Sequence, residues 1–356
     1  MKKVFVCFMI CLFTVLPFAG FAENEEVVVS FVGDCSIGDS AQYMEYDSSY
    51  HSCLEKNGYT WPFSLVQEYL QNDDLTVANL EVVFTNENKH ADKTYYLKGK
   101  PENVQVLTLG SIEVVNTINN HSMDFHDRGY RESLQILEDA GIKHFGSYRV
   151  FNDNGYDYLA IADAKGIRFG FVGFSYPQDN DQKRIASRIE KLKTEENCDV
   201  VIVSLHWGRE THMTPESWQY KYAKTVIDAG ADVIWGHHPH VIQPIHFYKG
   251  KPIMYSTGNF TFGTMSSVDP STGIFQLTFE RNADGTVEVT KLQVIPCKTQ
   301  ASPDFRPYEL TAESERKDVF KKLRFKKDVY KHFDNLPESF LETGTVYLEN
   351  GEFIEK

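Results

Sequence analysis

No Cys-x-x-Cys pair occurs anywhere in the chain, which excludes a zinc ribbon. No Gly-rich loop ending in Lys-Ser or Lys-Thr is present, and Gly170 to Gly173 is too loose to cradle a nucleotide phosphate. No Gly-x-Ser-x-Gly supports a serine nucleophile. Positive charge is scarce, with 36 Lys and Arg against 50 Asp and Glu. A general basic surface for nucleic acid is therefore excluded, and an acidic substrate needs a local positive site such as a metal ion. Long apolar runs are few: Val4 to Phe18 has 15 residues, short of the roughly 20 that span a bilayer as a helix. Internal repeats, low-complexity tracts and long linkers are also missing.

What remains is a chain of 356 residues, 42% apolar, with 25 Phe and 19 Tyr, enough for a substantial core. It begins with a basic start, Lys2 and Lys3, then the apolar run, then the small-residue pattern Ala19-Gly20-Phe21-Ala22. This reads as a signal peptide over residues 1–22 and implies export to a periplasmic, secreted or cell-surface location, with a membrane anchor if the segment is not cleaved. Removing Lys2 and Lys3 leaves 34 basic against 50 acidic residues, a net charge of −16. Cys7 and Cys11 leave with it. The widely spaced Cys35, Cys53, Cys198 and Cys297 are expected as small buried thiols, since a chain this long does not need bridges for stability.

Between Glu26 and Cys297, short β-rich runs alternate with amphipathic helical stretches, the pattern of an α/β layered core. Strands are expected at Val27–Val32, Leu75–Ala78, Val114–Ile118, Ile167–Phe174, Val200–Leu205 and Val233–Trp235, and helices at Tyr130–Ala140 and Ser217–Ala229. Phe275–Phe279 and Val287–Val294 flank Asp284-Gly285, a two-residue turn signal that closes the core with a hairpin. Beyond this core, residues 298–356 are expected to form a helical and irregular appendage.

The polar residues fall at informative places. Asp34, Glu81, Asn120, His206 and the pair His238 and His240 each follow a predicted strand, and strand ends converge in layered α/β folds. Imidazole, carboxylate and amide oxygen together suit a divalent cation such as Zn, Fe or Mn. Pro239 and the residue-before-proline restriction hold the two imidazoles on a stiff, extended segment, and Gly236 permits close backbone approach. His121 titrates in the range needed to protonate a leaving group at neutral pH. His237 is expected to shape the loop, while Asn259 is equally compatible with a turn and with an amide facing the cleft.

The segments FVGDCSIGD, ANLEVVFT, NTINNHSMDFHDRG, SLHWGRE, GADVIWGHHPHVIQPI and YSTGNF, in this order, resemble the CapA family associated with poly-γ-glutamate capsule synthesis. The resemblance covers Val27 to Phe260. It implies a calcineurin-like metallophosphoesterase fold over residues 26–297: a four-layer α-β-β-α sandwich of two mixed sheets with two divalent metal ions in its cleft. By resemblance the metal set is Asp34, Glu81, Asn120, His206, His238 and His240, with Glu81 bridging. His121 would be catalytic, with Asp124 and Glu210 supporting it from the same motifs. The implied activity is hydrolysis of a phosphoester or amide by metal-activated water. The implied partners are an anionic polymer or small phosphoester and membrane capsule-synthesis proteins. Asp34-Cys35-Ser36 departs from the Asp-x-His that opens phosphoesterases, which favours a non-catalytic assembly component as the rival reading.

Overall fold

The computed structural model describes residues 25–148, 156–177, 181–263, 268–324 and 332–356. The expected signal peptide lies outside the described residues. Among those residues no helix is long and apolar enough to cross a membrane.

In chain order, the elements that build the site and its supports are β1 (Val27–Ser36), α1 (Tyr50–Asn57), β2 (Leu75–Leu80), β3 (Val114–Asn116), α2 (His126–Asp139), β4 (Lys143–Tyr148), β5 (Ala160–Ala164), β6 (Ile167–Ser175), α3 (Asp181–Thr194), β7 (Val200–His206), α4 (Ser217–Asp228), β8 (Val233–His237), β9 (Ile245–Tyr248), β10 (Lys251–Met254), β11 (Asn259–Phe262), β12 (Ser271–Arg281), β13 (Val287–Thr299), α5 (Glu313–Leu323) and β14 (Thr345–Glu349). Two mixed sheets result. The first runs β3, β2, β1, β12, β13, with β1–β2 and β2–β3 parallel and the β12–β13 hairpin antiparallel. The second has β6, β7, β8 and β10 parallel, flanked by antiparallel β5 and β9. β4 joins them, pairing with β3 and, at Ser147, with Phe174 of β6.

Side-chain alternation explains the layers. In β7, Val200 and Ile202 enter a core that also holds Val29, Phe31 and Val77 of the first sheet, while Val201, Val203 and Leu205 face a core with Ile185 and Ile189 of α3 and Ala223 and Val226 of α4. Apolar residues on both faces are what a buried parallel sheet requires. The inter-sheet core is crossed by Phe31 and Trp235, whose ring centroids are 5.6 Å apart. The opposite face of the first sheet packs Val32, Ala78 and Val115 on Leu54 of α1 and on Tyr130, Leu134 and Leu137 of α2. Helix α2 presents these three at helical spacing and stops at Ala140, where Gly141 takes φ 76°.

Two expectations are corrected. The hairpin loop is five residues, 282–286, because Arg281 pairs with Val287, and Asp284 Oδ1 accepts the Thr286 N–H at 2.9 Å inside it. The C-terminal stretch is not an appendage: β14 pairs with β13, and Val319, Phe320, Leu323, Phe340, Val346 and Leu348 belong to the inter-sheet core. Its charged residues lie outward at helical and strand periods, which hid the buried stripe in a composition reading. All four cysteines of the described chain are buried, free thiols.

Candidate metal centre

β1 changes neighbours halfway along one edge. Val27–Phe31 pair antiparallel with β12, whereas Asp34–Ser36 pair parallel with β11, Asp34 standing opposite Asn259. The fork falls at Gly33, where a Cβ would lie 1.9 Å from the Gly258 carbonyl oxygen. Only glycine admits that approach, and it lets Asp34 N–H donate to Gly258 O at 2.8 Å. Gly236 plays the same part in β8, where a Cβ would meet Tyr255 O at 2.0 Å.

The fork presents Asp34 to residues from six other places in the chain. Asp34 Oδ1 accepts the Asn79 amide at 2.8 Å, and the same amide reaches Glu81 Oε2 at 3.3 Å. Asn79 is itself held by the Asn116 amide at 2.8 Å. His240 Nδ1 lies 2.9 Å from Asn259 Oδ1 and 3.4 Å from Asp34 Oδ2, and its Nε2 faces Glu81 Oε1 at 3.8 Å. His206 Nε2 lies 2.9 Å from Asn120 Oδ1 and 3.9 Å from Glu81 Oε1. His237 Nδ1 approaches Asp34 Oδ1 at 3.1 Å, out of hydrogen-bond alignment. Asp34, Glu81, His206 and His237 are fully buried.

The electrostatics of this group are those of acids and imidazoles buried against one another. Burial works to raise the Asp34 carboxyl, yet His237 and His240 beside it hold it well below the usual carboxylate range. Burial and the Asp34 charge push Glu81 well above its usual value. His240 is raised to about 9 against its burial by Glu81 and Asp34. Burial depresses His206 and His237 below the usual imidazole range, and burial with His240 nearby lowers His238 to about 4. The depressed imidazoles of His206, His237 and His238 are in the neutral form that ligates metals, whereas the raised His240 and Glu81 would have to give up a proton to a binding cation.

Whether a divalent cation fits can be judged from donor atoms. Asp34, Glu81 and His240 each offer a ligand atom within 4.8 Å of one another, and so do Glu210, His238 and His240. The two groups share His240. Glu81 Oε1 and His206 Nδ1 are buried with no hydrogen-bond partner in the described structure, which is costly for atoms of this kind unless a ligand completes them. The donor set is nitrogen and oxygen throughout, and it fits.

His121 sits at the rim with Nδ1 2.7 Å from Asp124 Oδ2. Burial lowers its pKa while Asp124 opposes the shift. Lys93, absent from the sequence reading because it lies in a loop without a motif, reaches Asp124 Oδ1 at 2.6 Å and Asn120 O at 3.0 Å. Glu210 is exposed, yet its carboxylate belongs with His238 and His240. The His238-Pro239-His240 turn is not extended as expected: His238 and His240 adopt φ 97° and 58°, strained values that a surrounding site must hold in place. His237 does more than shape the loop, since its ring meets Asp34. Asn259 turns its amide to the cleft, which decides between its two readings.

The fold and pocket thus define a mixed α/β protein with a buried histidine and carboxylate cluster at converging strand ends. Residues 28–264 match the family model of the bacterial capsule synthesis protein PGA_cap, and the chain belongs to that family. It is 30% identical over 323 residues to the PGA biosynthesis protein CapA of Bacillus subtilis, covering 82% of this chain and 81% of that one. It is 28% identical to the capsule biosynthesis protein CapA of Bacillus anthracis, over 76% of this chain and 68% of that one. A crystal structure of a phosphatase from Mycoplasma pneumoniae overlaps 77% of this chain and 94% of its own, with a TM-score of 0.48 and 12% identity.

Proposed function

We propose that this chain is an exported, cation-dependent hydrolase of poly-γ-glutamate capsule synthesis or processing, acting on a phosphoester or amide of an anionic substrate. The observation that carries the reading is the pair of ligand groups sharing His240 inside a pocket whose Glu81 and His206 have unpartnered atoms. Asp34, Glu81, Asn120, His206, His238 and His240 would hold two divalent metal ions, Mn, Fe or Zn, with His237 and Glu210 available to complete them. Bound there, the metals supply positive charge that lowers the pKa of water and offsets charge developing on the substrate. The chain's own contribution is proton handling at His121 Nε2: Asp124 fixes Nδ1, so Nε2 is the nitrogen left to give or take the proton of a leaving oxygen or nitrogen.

The test is metal analysis of freshly purified mature protein, followed by hydrolysis of a generic phosphodiester and of poly-γ-glutamate beside His238→Ala. Bound metal with turnover lost in the variant supports the proposal, and no metal-dependent turnover on either substrate overturns the catalytic part. N-terminal sequencing of the exported protein tests the signal peptide, because an intact Met1 contradicts cleavage after Ala22.

A second reading, a non-catalytic assembly or export component that keeps the metal fold, is favoured by Ser36. It stands where phosphoesterases have an imidazole, and its buried hydroxyl has no hydrogen-bond partner among the described residues. Under this reading the protein shows no turnover, and a folded His206→Ala variant leaves capsule output unchanged; abolished output argues against a scaffold.

A further inference from the structure

The short strands Val83–Phe84 and Leu97–Gly99 pair in parallel, and the loop between them is tied to Asp124. Asp124 O accepts the Ala91 N–H at 2.8 Å, and its Oδ2 accepts the Leu97 N–H at 2.6 Å. The same carboxylate holds His121 and Lys93. Phe125, the next residue, lines an open cleft of about 640 Å³, a volume in the range of ligand pockets. Beside it there are the rings of His90 and Tyr96, stacked with centroids 3.8 Å apart and both edge-on to Phe125. Consecutive residues thus serve the metal centre and the cleft.

The cleft carries Lys98 and Lys100 in a chain short of positive charge, within a stretch, residues 93–100, that has three lysines and no acid. The Lys98 ammonium donates to neutral oxygens, Glu87 O at 2.7 Å and Asn88 Oδ1 at 3.0 Å, and lies 5.3 Å from the Phe125 ring centroid. An ammonium has three N–H groups, so one is left without an acceptor among the described residues. The two acids whose charge it feels are engaged elsewhere: Glu87 Oε2 pairs with Arg128 at 3.2 Å, while Glu132 accepts the Thr85 hydroxyl at 2.5 Å and the Asn86 N–H at 3.1 Å. Burial lowers the Lys98 pKa against both of them, as befits a cation deprived of water. Lys100 Nζ lies 2.6 Å from His51 Nε2 and 3.7 Å from Glu55 Oε1, an exposed acid. Glu45 and Glu102 also line the cleft, but both are exposed and screened by solvent.

We propose that this cleft binds an anionic polyamide chain, with one carboxylate on Lys98, another toward Lys100, and the methylene stretches lying on the His90, Tyr96 and Phe125 rings. Poly-γ-glutamate has this chemistry: one free carboxylate and one amide per unit, joined through methylene groups. The inference rests on the capsule-polymer reading above and gives the polymer a seat outside the metal centre. A unit further along the bound chain then reaches the side of Asp124 on which His121 stands.

The experiment is calorimetric titration of the full chain, as purified, with short poly-γ-glutamate, beside Lys98→Gln, Lys98→Arg and the control Lys183→Gln, which lies on α3 outside the cleft. Melting curves establish that each folds. Losing one charge-assisted hydrogen bond weakens binding by Lys98→Gln about tenfold or more. Lys98→Arg keeps the charge and recovers most of the affinity, while Lys183→Gln, with the same change in net charge, binds as the unaltered chain does. Lys100→Gln also weakens binding, and reads the same cleft should Lys98→Gln fail to fold. Lys98-dependent binding without any turnover keeps the cleft and removes the catalytic part of the proposed function. Turnover of the polymer with equal binding by Lys98→Gln overturns the cleft and leaves that function standing. No binding by the unaltered chain, or an equal loss in Lys183→Gln, overturns the cleft as well.

Discussion

Asp34 and Asn259 face each other across two parallel strands, and both contact the same nitrogen of His240. Asn259 Oδ1 accepts the hydrogen bond of His240 Nδ1–H, so the nitrogen left to lose its proton to a cation is Nε2, on the side of Glu81. Asn259 is then the residue that sets the His240 tautomer. Asn259→Ala should weaken cation binding about 10-fold to 100-fold, the usual cost of losing such a partner. Calorimetric titration beside a melting curve checks this, and unchanged affinity in a folded variant counts against the assignment.

Glu81 is expected to exchange a proton for a cation. Dialysis against a chelator should lower the melting temperature of the protein, and Zn(II) or Mn(II) should restore it. At about 100 times Kd, a cation adds about 2.7 kcal/mol of stability. Glu81→Gln keeps the side-chain size and the buried setting but removes the charge. It should melt near the chelated parent and lose most of the metal-induced rise.

A pH effect arises away from the cluster. Asp39 is 1% exposed, its oxygens accept the N–H groups of Tyr50 at 2.7 Å and His51 at 3.0 Å at the start of α1, and burial raises it to about 6 despite those bonds. An acid raised in the fold binds more protons folded than unfolded between its ordinary value of 3.8 and about 6. Stability contributed here is therefore lost as pH rises through that window, by at most about 3 kcal/mol. Asp39→Asn should flatten this slope in urea unfolding measured from pH 4 to pH 7. An equally steep curve in the variant contradicts the assignment.

The C-terminal stretch should behave as part of the core. The Phe320 and Phe340 rings lie 5.2 Å apart and both side chains are fully buried. Phe320→Ala should cost about 3–5 kcal/mol in denaturant unfolding. A loss below about 1 kcal/mol would restore the view of an appendage.

How much of this could be read beforehand depends on the kind of signal. Asp34, Glu81, Asn120, His206, His238 and His240 were legible because each follows a β-rich run, and strand ends converge whatever the details of register. Asn79 and Asn116 were masked inside strands, where an amide reads as an interruption and only the fold shows it bonding to the next amide. Lys93 depended on how a loop crosses another loop, which no periodicity encodes. His238 and His240 do come together with the cluster, but on positive-φ backbone rather than the extended segment that proline's usual effect on its predecessor implies.

The forked first strand has a consequence for assembly of the molecule. Asp34 meets its opposite number only after more than two hundred intervening residues have been laid down and threaded into both sheets. Contacts that distant close slowly and late. A nascent or partly refolded chain can hold most of its helices and still lack the histidine and carboxylate cluster, so under the proposed function metal uptake would report on completion of the whole architecture rather than on any local piece of it.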